Sequence, residues 1–564
     1  MLEVLLLWGY MLFVNTSVGV GVLKLIYRMT GRENKRVSFI TCVMAGVVAI
    51  IVYAEFYSIF SNVGMTAHLL LLLAAVLSAF VCRDVFTVLL KRFKAVCASW
   101  EGLPYLILIV GIAYFASRGI QHTDTGIYHA QAIRWYEEYG LVKGLANLQQ
   151  HFGYNSAYLG YAAVFSMKWL AGKSLHGTTG FLAALLCVWA LQGIKDFKKK
   201  DSNLADVCRI GILLYTLVNV EGLMSPATDY GTMYLVLYII TRWAQLCAEQ
   251  RRKAQPLDFG LLCVAVVCVT TYKVAAGLLV VLALYPAVLM IRRKAWREIA
   301  VCLCAGILTL LPFLIRNVLI SGWLVYPLGA IDLFSVDWKV PLEYLQYDSD
   351  QIKVWGRCLF DVAKIDVPLR EWLPIWWDAK DTYEKMLIEA NLAAVGLELL
   401  SLVHILFKKE KIVWEQVILH AAVFSCLAGW FATAPFIRYG LAFLLEFPLL
   451  AAGGWFHRMK SGPVRVLAGY CCLGTFMLLS IYWSYYVLTD MNWIKEHLRD
   501  SAYVRQQDYD RVEVGEIQID SLTVYYPLES DNISYHAFPG TAYESMAERS
   551  KMRGASIKDG FKPK

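Results

Sequence analysis

Long apolar stretches recur along this chain from the first residue to about residue 487, and they constrain its fold more than any other feature. Backbone amides find no water inside hydrocarbon, so a segment that crosses a bilayer must be a helix or a strand of a closed barrel. These stretches are unbroken and lack the alternating pattern of barrel strands. They therefore predict an all-α polytopic membrane protein.

The apolar stretches are separated by short clusters of basic residues, and they predict about 14 transmembrane helices. The segment 156–172 also resembles a helix, but a further crossing there would place Lys198, Lys199 and Lys200 on the outer side. We therefore predict that it is re-entrant or tilted. The predicted spans are 1–27, 38–60, 66–90, 103–118, 176–194, 206–222, 228–247, 257–272, 273–291, 297–318, 386–407, 412–431, 434–457 and 463–487.

Composition agrees with a membrane protein and argues against other classes. Hydrophobic residues make up 58% of the chain and charged residues 17%, against about 25% charged in soluble domains. The net charge of +8 comes from clusters that flank the apolar stretches, which is typical of cytoplasmic loops and not of nucleic-acid binding. The first stretch has no basic residue before Lys24 and no cleavage site, so it predicts a retained span. The cysteine spacing indicates neither a disulfide framework nor a zinc site.

The positive-inside rule places the basic clusters in the cytoplasm and both termini outside. Short alternating runs near residues 512–519 predict a small β element, so the C-terminal extension should be a small outer α/β unit. We predict three parts: extra N-terminal transmembrane helices over 1–98, a transmembrane core over 99–487 with outer loops 119–155 and 319–385, and an extracytoplasmic extension over 488–564.

The first outer loop contains the stretch HTDTGIYHAQAIRWYEEYG, residues 122–140, in which ionisable residues are unusually dense. Its apolar residues share one face at helical spacing, and Gly140 marks the end of the helix. The pattern predicts an amphipathic helix lying on the membrane, with Arg134, Glu137 and Glu138 on its wet face. The residues of the apolar face are Tyr128, Ala132, Trp135 and Tyr139.

Asp124 stands apart from the other charges of this stretch because it lies shortly after a predicted span and immediately before the helix. Its carboxylate is then expected between the loop and the helical bundle. We interpret it as a general base, and the alternative is that it only caps the helix together with Thr125.

Three cations, Lys273, Arg316 and Arg438, lie at the outer ends of predicted spans. Any one of them could extend to the lipid head groups, but three at one depth indicate an anionic partner. Because the arginine fork matches phosphate oxygens, we predict a phosphate carried on a lipid.

Several further residues are candidates for substrate binding. Asp229 could approach His122 and Asp124, and this set would suit a divalent cation, although no cofactor is predicted firmly. His129 is a polar loop residue that could also contact substrate. Asn317 and Tyr326 could orient Arg316 or bind a sugar. The tryptophans of the second outer loop either stack on sugar rings or form an interfacial belt; they are Trp338, Trp372, Trp376 and Trp377.

An acidic residue in the first outer loop, an amphipathic helix after it and basic residues at the outer ends of later spans resemble the GT-C superfamily of polytopic glycosyltransferases. The strings DTGIYHAQAIRW, RNVLISGWLVYP, APFIRYG and SIKDGF look similar to a group of large, mostly uncharacterised bacterial membrane proteins near that superfamily. The likeness covers about residues 100–564. Many members carry two acidic residues one position apart in this loop, whereas this chain has His122-Thr123-Asp124.

The resemblance implies that Asp124 is the catalytic base, that the donor is a sugar on a polyprenyl phosphate, and that transfer occurs on the outer face of a bacterial plasma membrane. We therefore expect an inverting glycosyltransferase whose acceptor is a cell-surface glycan, lipid or protein. Two alternatives stay open. One is a polysaccharide polymerase or ligase that acts on lipid-diphosphate glycans. The other is a transporter, which should place charged or broken-helix sites near the bilayer midplane.

Overall fold

The computed structural model describes residues 1–32, 38–100, 102–120, 122–194, 203–250, 255–458, 474, 477, 481 and 503–564. It is mostly helical, with a small β region near its C-terminus. Within the described residues, seven helices are long and apolar enough to cross a membrane. The predicted class of polytopic helical membrane protein is confirmed at this level. The predicted span 463–487, apart from residues 474, 477 and 481, and the basic segments 195–200 and 251–253 lie outside the described residues.

The α-helices are α1 (Leu2–Met29), α2 (Phe39–Ser58), α3 (Met65–Val81), α4 (Arg83–Cys97), α5 (Gly102–Ala116), α6 (Ala130–Glu138), α7 (Leu145–Leu148), α8 (Ala157–Val164), α9 (Lys168–Ala171), α10 (Thr178–Ile194), α11 (Asn203–Val218), α12 (Thr228–Gln250), α13 (Pro256–Tyr272), α14 (Leu284–Arg292), α15 (Trp296–Ser321), α16 (Leu342–Gly356), α17 (Leu369–Asp378), α18 (Thr382–Lys408), α19 (Trp414–Thr433), α20 (Ile437–Arg458) and α21 (Glu544–Glu548). A π-helical turn covers Thr125–His129, and 3₁₀ helices cover Gln150–Tyr154, Val220–Met224, Val274–Ala283, Val362–Lys364 and Ile557–Asp559.

The candidate spans only partly match the predicted ones. The predicted span 66–90 is bent, because α3 ends at Val81 and α4 leaves it at an angle of 90°; the pair is a broken span, which would raise the number of candidate spans to eight, or a re-entrant loop. Arg83 and Asp84 begin α4, so the chain turns where charge enters the apolar run. Among the described helices, α5, α10 and α13 are apolar but short. The seven candidate spans are Leu2–Met29, Phe39–Ser58, Val274–Arg292, Trp296–Ser321, Thr382–Lys408, Trp414–Thr433 and Ile437–Trp455.

The segment 156–172 forms two short helices, α8 and α9, separated at residues 165–167. At 1.5 Å per residue, the 8 residues of α8 extend about 12 Å, well short of the roughly 30 Å hydrocarbon core. Every residue of α8 is buried. The segment is therefore a short internal helix, which agrees with the prediction that it makes no full crossing.

The first two helices pack with almost no side chain between them. A Cβ atom at Gly19 would lie 1.8 Å from the carbonyl oxygen of Cys42, and one at Gly46 would lie 1.8 Å from that of Asn15. Only glycine permits backbones to approach this closely, as in other tightly packed membrane helices. The N-terminal helices are thus part of the main apolar core and not a loose addition.

The C-terminal extension contains two antiparallel hairpins. In the first, β1 (Val514–Ile519) pairs with β2 (Leu522–Pro527), and in the second, β3 (Ser550–Met552) pairs with β4 (Phe561–Pro563). The predicted small β element is therefore present. The extension also reaches the start of α1, where the amide of Leu2 donates to the carbonyl of Tyr503 at 3.0 Å. The N-terminal end of α1 and the C-terminal extension consequently lie on the same side of the bundle.

The extension covers α6, and this corrects the prediction that the helix lies on the membrane. The buried side chain of Gln131 donates to the carbonyls of Ser534 and Ala537, and Arg134 donates to those of Tyr535 and His536. Trp135, on the apolar face, is 1% exposed and packs against the extension and outer-loop residues. The helix is amphipathic as predicted, but its apolar face packs against protein.

Glu137 was also predicted wrongly as a solvated charge. It is buried and accepts hydrogen bonds from Ser174 and Tyr535, and burial raises its pKa. Arg134 and Glu138 do form the expected pair along the helix, at 3.7 Å.

Candidate functional site

Two carboxylates and two cations meet where the first outer loop approaches the ends of α12, α13 and α20. Arg438 Nη2 donates to Asp124 Oδ2 at 2.6 Å, and Arg438 Nε lies 3.4 Å from Asp229 Oδ2. Lys273 Nζ forms an ion pair with the other oxygen of Asp229. Arg438 therefore bridges two acidic residues that are far apart in the sequence. We refer to Asp124, Asp229, Lys273 and Arg438 as the outer cluster.

The helix ends explain why these charges need one another. Asp229 lies in the first turn of α12, where the helix dipole favours a negative charge. Lys273 lies between the C-terminus of α13, whose dipole favours a cation, and the N-terminus of the 3₁₀ helix Val274–Ala283, whose dipole opposes one. Arg438 lies in the first turn of α20, where the dipole opposes a cation. The two carboxylates compensate for this unfavourable position.

The π-helical turn Thr125–His129 places two imidazoles beside the outer cluster. Their ring centroids are 6.0 Å apart, and Arg438 Nη1 lies 3.5 Å from His122 Nε2. Burial lowers the pKa of His122, although Asp124 and Asp229 oppose this shift, and burial lowers the pKa of His129 further. Both rings are therefore neutral near pH 7. Such turns, which contain one extra residue, are frequent at functional sites.

Hydroxyl groups of Thr125, Ser225 and Thr228 hold the π-helical turn in place. Thr125 Oγ1 lies 2.6 Å from Ser225 Oγ and 3.2 Å from His129 Nδ1, and Thr228 Oγ1 lies 3.5 Å from His129 Nε2. Ser225 Oγ also accepts the amide of Ala227, so the loop before α12 and the turn after Asp124 are held together. These contacts bring His122, just before the turn, close to Asp229, in the first turn of α12.

Aromatic rings surround Lys273 and Arg438, and the sequence analysis did not predict these contacts. The ammonium of Lys273 lies 3.6 Å from the ring centroid of Tyr439, and the guanidinium of Arg438 lies 5.2 Å from Phe436 and 5.3 Å from Tyr439. Tyr230 packs against His122 with ring centroids 5.3 Å apart. The signal was present in the string APFIRYG, where aromatic residues flank the arginine within one turn.

The structure does not bring Arg316 into the outer cluster. Its guanidinium lies 3.5 Å from Glu55, donates to Asn155 and Ser58, and lies 4.1 Å from the ring of Tyr136. Asn317 is buried beside it; its side-chain oxygen accepts from Asn155 at 2.9 Å, and its amide donates to the carbonyl of Leu324. The predicted row of three cations therefore separates into two in the cluster and one in the protein interior.

Tyr326 is also buried, and it packs beside Tyr154 in a pocket that contains Asp348. Tyr154 and Gln150 donate to Asp348 at 2.8 and 3.2 Å, and burial raises the pKa of this carboxyl to about 6. Of the four tryptophans, Trp372 and Trp376 are buried against other side chains, which leaves them no free face for a sugar.

Asp124 stands at the N-cap position of the π-helical turn, but its side chain makes no capping hydrogen bond. The carboxylate binds Arg438 instead, so the cap alternative is wrong.

A divalent cation fits the outer cluster by geometry. One ligand atom each from His122, Asp124 and Asp229 lies within 4.8 Å of the others. A neutral imidazole and carboxylates are suitable ligands. However, Arg438 and Lys273 already neutralise both carboxylates, so a metal ion would have to displace Arg438.

Comparison with known proteins gives one family. A family model described as a domain of unknown function, DUF8201, matches residues 1–445. That range contains the whole outer cluster and ends before the C-terminal extension. No curated protein and no solved structure matches the chain.

Proposed function

We propose that this chain, which belongs to the DUF8201 family, is an integral-membrane glycosyltransferase of GT-C type with about 14 spans. It moves a sugar from a polyprenyl-phosphate donor to a glycan, lipid or protein acceptor on the outer face of a bacterial plasma membrane. The support is the convergence of Asp124, Asp229, Lys273 and Arg438 at the ends of helices of an apolar bundle.

In this proposal Asp124 is the base. It removes the proton from an acceptor hydroxyl, whose oxygen forms a bond to the anomeric carbon with inversion, while the bond from that carbon to the phosphate oxygen breaks. The electron pair leaves with the lipid phosphate, and Arg438 and Lys273 stabilise the resulting charge. Asp229 holds both cations in place.

One observation carries the proposal: Arg438 is shared between Asp124 and Asp229, and its side chain is still 30% exposed. Its buried Nε lies 3.4 Å from Asp229 Oδ2 but makes no hydrogen bond among the described residues, so Asp229 holds it by charge alone. A phosphate oxygen would bind the exposed part of the guanidinium and would take Arg438 away from Asp124. Donor binding would then release the carboxylate that must accept the proton. A divalent cation on His122, Asp124 and Asp229 would instead stabilise the phosphate directly, and the assay below distinguishes the two by adding a chelator.

The experiment compares Asp124→Asn with the parent protein in lipid nanodiscs supplied with polyprenyl-phosphate sugars. Asparagine keeps the size of the side chain but accepts no proton at neutral pH, so transfer should fall by roughly 10²- to 10⁴-fold without loss of folding. Glu138→Gln, in the same loop but solvent-exposed, is the matched control and should transfer normally. In cells the Asp124→Asn variant should accumulate the lipid-linked sugar. Normal transfer by the purified variant would refute the proposal.

The same cations would serve the rival polymerase or ligase, whose leaving group is a lipid diphosphate. Supplying lipid-diphosphate glycans in place of polyprenyl-phosphate sugars in the same nanodisc assay separates the two reactions, because only the rival would use them.

A transporter remains the second candidate because of one residue. Glu446 lies nine residues into the candidate span α20, about 14 Å from its start, which is near the middle of a bilayer. It is 0% exposed, and within the described residues neither carboxylate oxygen has a hydrogen-bond partner. Buried ionisable groups at this depth often mark ion or proton pathways. Loss of solute flux in Glu446→Gln with normal flux in Asp124→Asn would favour transport.

A further inference from the structure

The helix α17 has an apolar stripe that is wider than the protein surface it packs against. At 100° per residue, Ile375, Trp372, Trp376, Leu369 and Leu373 follow one another around the helix, and the charged residues fall on the opposite side. Trp372 and Trp376 form the buried middle of the stripe. Leu369 on one flank is 50% exposed and Ile375 on the other is 49% exposed.

The buried middle fixes where this helix lies. Trp376 Nε1 donates to the carbonyl of Pro435 at 2.8 Å, between α19 and α20, and the ring of Trp372 lies 5.8 Å from that of Phe431 near the end of α19. The candidate span α18 begins four residues after α17 ends. Three candidate spans therefore end or begin beside α17, so it lies at the level where a bilayer meets water.

The segments before and after α17 in the chain also carry exposed apolar residues. Phe360 is 58% exposed and packs edge-on against Trp355, with ring centroids 5.1 Å apart. Met386 and Leu392 are exposed on α18, which is a candidate span. An amphipathic helix with tryptophans, placed at the end of apolar spans, is typical of a segment embedded in the lipid interface.

The geometry points to α17 as a membrane-embedded helix whose exposed flanks, Leu369 with Leu373 and Ile375, contact the acyl chains of the leaflet that borders the outer cluster. Its partner is the lipid surface. On the proposed function, this helix also guides the lipid chain of the donor. Lys380, which follows α17, lies 5.9 Å from the ring of Phe436, and Phe436 contacts Arg438.

The test is depth-dependent quenching of a fluorescent label on single introduced cysteines, with the full chain in nanodiscs. The label is placed at Leu369, Leu373 or Ile375, and the parent chain without an introduced cysteine gives the background. The matched controls are Arg370, on the polar side of the same helix, and Leu528, an exposed apolar residue of the C-terminal extension.

We expect nitroxide-bearing lipids to quench the three test positions several-fold more strongly than the two controls, and aqueous iodide to show the reverse. Strong iodide quenching at the test positions would overturn the inference. Protection from both quenchers would also overturn it, because it would show that a protein surface covers the helix. No substrate is needed, so this result is independent of the proposed glycosyltransferase activity.

A second measurement tests the guiding role. Leu373→Glu should weaken binding of a polyprenyl-phosphate probe several-fold and leave binding of inorganic phosphate unchanged, since only the lipid chain contacts α17. Equal loss for both probes, or no loss for either, would refute the guiding role.

Discussion

Two arginines of this chain give the same signal in the sequence and have opposite surroundings in the structure. Arg438 and Arg316 both lie at the outer ends of predicted spans, and each approaches an acidic side chain. The side chain of Arg438 is 30% exposed and bridges two carboxylates, whereas that of Arg316 is 3% exposed and pairs with Glu55.

The difference lies in how completely each charge is satisfied. Arg316 has a carboxylate, two hydrogen-bond acceptors and an aromatic face, and it joins α15 to α2, to α6 and to Asn155. The Nε of Arg438 lies 3.4 Å from Asp229 without a hydrogen bond among the described residues, and its other partner, Asp124, is partly solvated. A fully satisfied buried cation stabilises a fold, and a partly satisfied one at a surface can still bind a ligand. The comparison predicts separable effects on stability and on binding.

The largest expected effect is on stability in Arg316→Ala. This change leaves the carboxylate of Glu55 buried without its cation, which should cost about 3–5 kcal/mol of folding free energy. Arg438→Ala should cost much less, because Asp229 keeps Lys273 and Asp124 reaches water. Thermal unfolding in the same detergent measures both variants. Equal destabilisation of the two would break the comparison, and Glu55→Gln combined with Arg316→Ala should recover part of the loss.

A buried carboxyl without a cation should respond to pH. Burial raises the pKa of Asp348 from 3.8 to about 6, so the folded state holds this proton more tightly than the unfolded state does. The resulting stabilisation, at most about 3 kcal/mol, is complete below pH 4 and is lost as the pH rises through 6. Between pH 4.5 and pH 7.5, unfolding temperatures should therefore fall more in the parent than in Asp348→Asn. Parallel curves would show that Asp348 is ionised in the fold.

The third prediction concerns ligand binding at the outer cluster. Arg438→Ala should weaken binding of a polyprenyl-phosphate donor by about 1.5–3 kcal/mol, the usual contribution of a charge-assisted hydrogen bond. Arg438→Lys should restore little, because an ammonium cannot contact two carboxylates and a phosphate in one plane. Calorimetry on folded protein in nanodiscs measures this. Unchanged affinity in Arg438→Ala would remove the phosphate site and leave the two arginines without a functional difference.

The smallest expected effect is at the contact between α6 and the C-terminal extension. Tyr535→Phe removes a hydrogen bond to the buried Glu137 and should cost about 0.5–1.5 kcal/mol. Tyr543→Phe, a similar change at an exposed tyrosine of the same extension, is the control. Thermal unfolding of both variants gives the difference, and a loss as large as that of Arg316→Ala would mean that the extension, too, is a main support of the fold.

Much of the architecture followed from local pattern. Unbroken apolar runs bounded by basic clusters indicate membrane helices because the bilayer imposes the same requirement on every backbone amide, and the short alternating runs indicated the hairpin at β1 and β2. The density of charge around Asp124 marked the loop that contributes to the outer cluster. These signals depend only on residues adjacent in the chain or one helical turn apart.

Tertiary structure alone decided which charges meet. The residues around Arg316 do not predict its pairing with Glu55, which lies more than 250 residues earlier in the chain. Those around Asp124 do not predict its pairing with Arg438, which lies more than 300 residues later. The sequence pattern predicted the apolar face of α6. The same pattern results whether lipid or the C-terminal extension covers that face. An ion pair depends on distance and on exclusion of water, and both are properties of the packed chain rather than of residue type. For that reason the sequence determined the class of this protein and its charged loop, and only the fold separated the partly exposed outer cluster from the buried pair of Arg316 and Glu55.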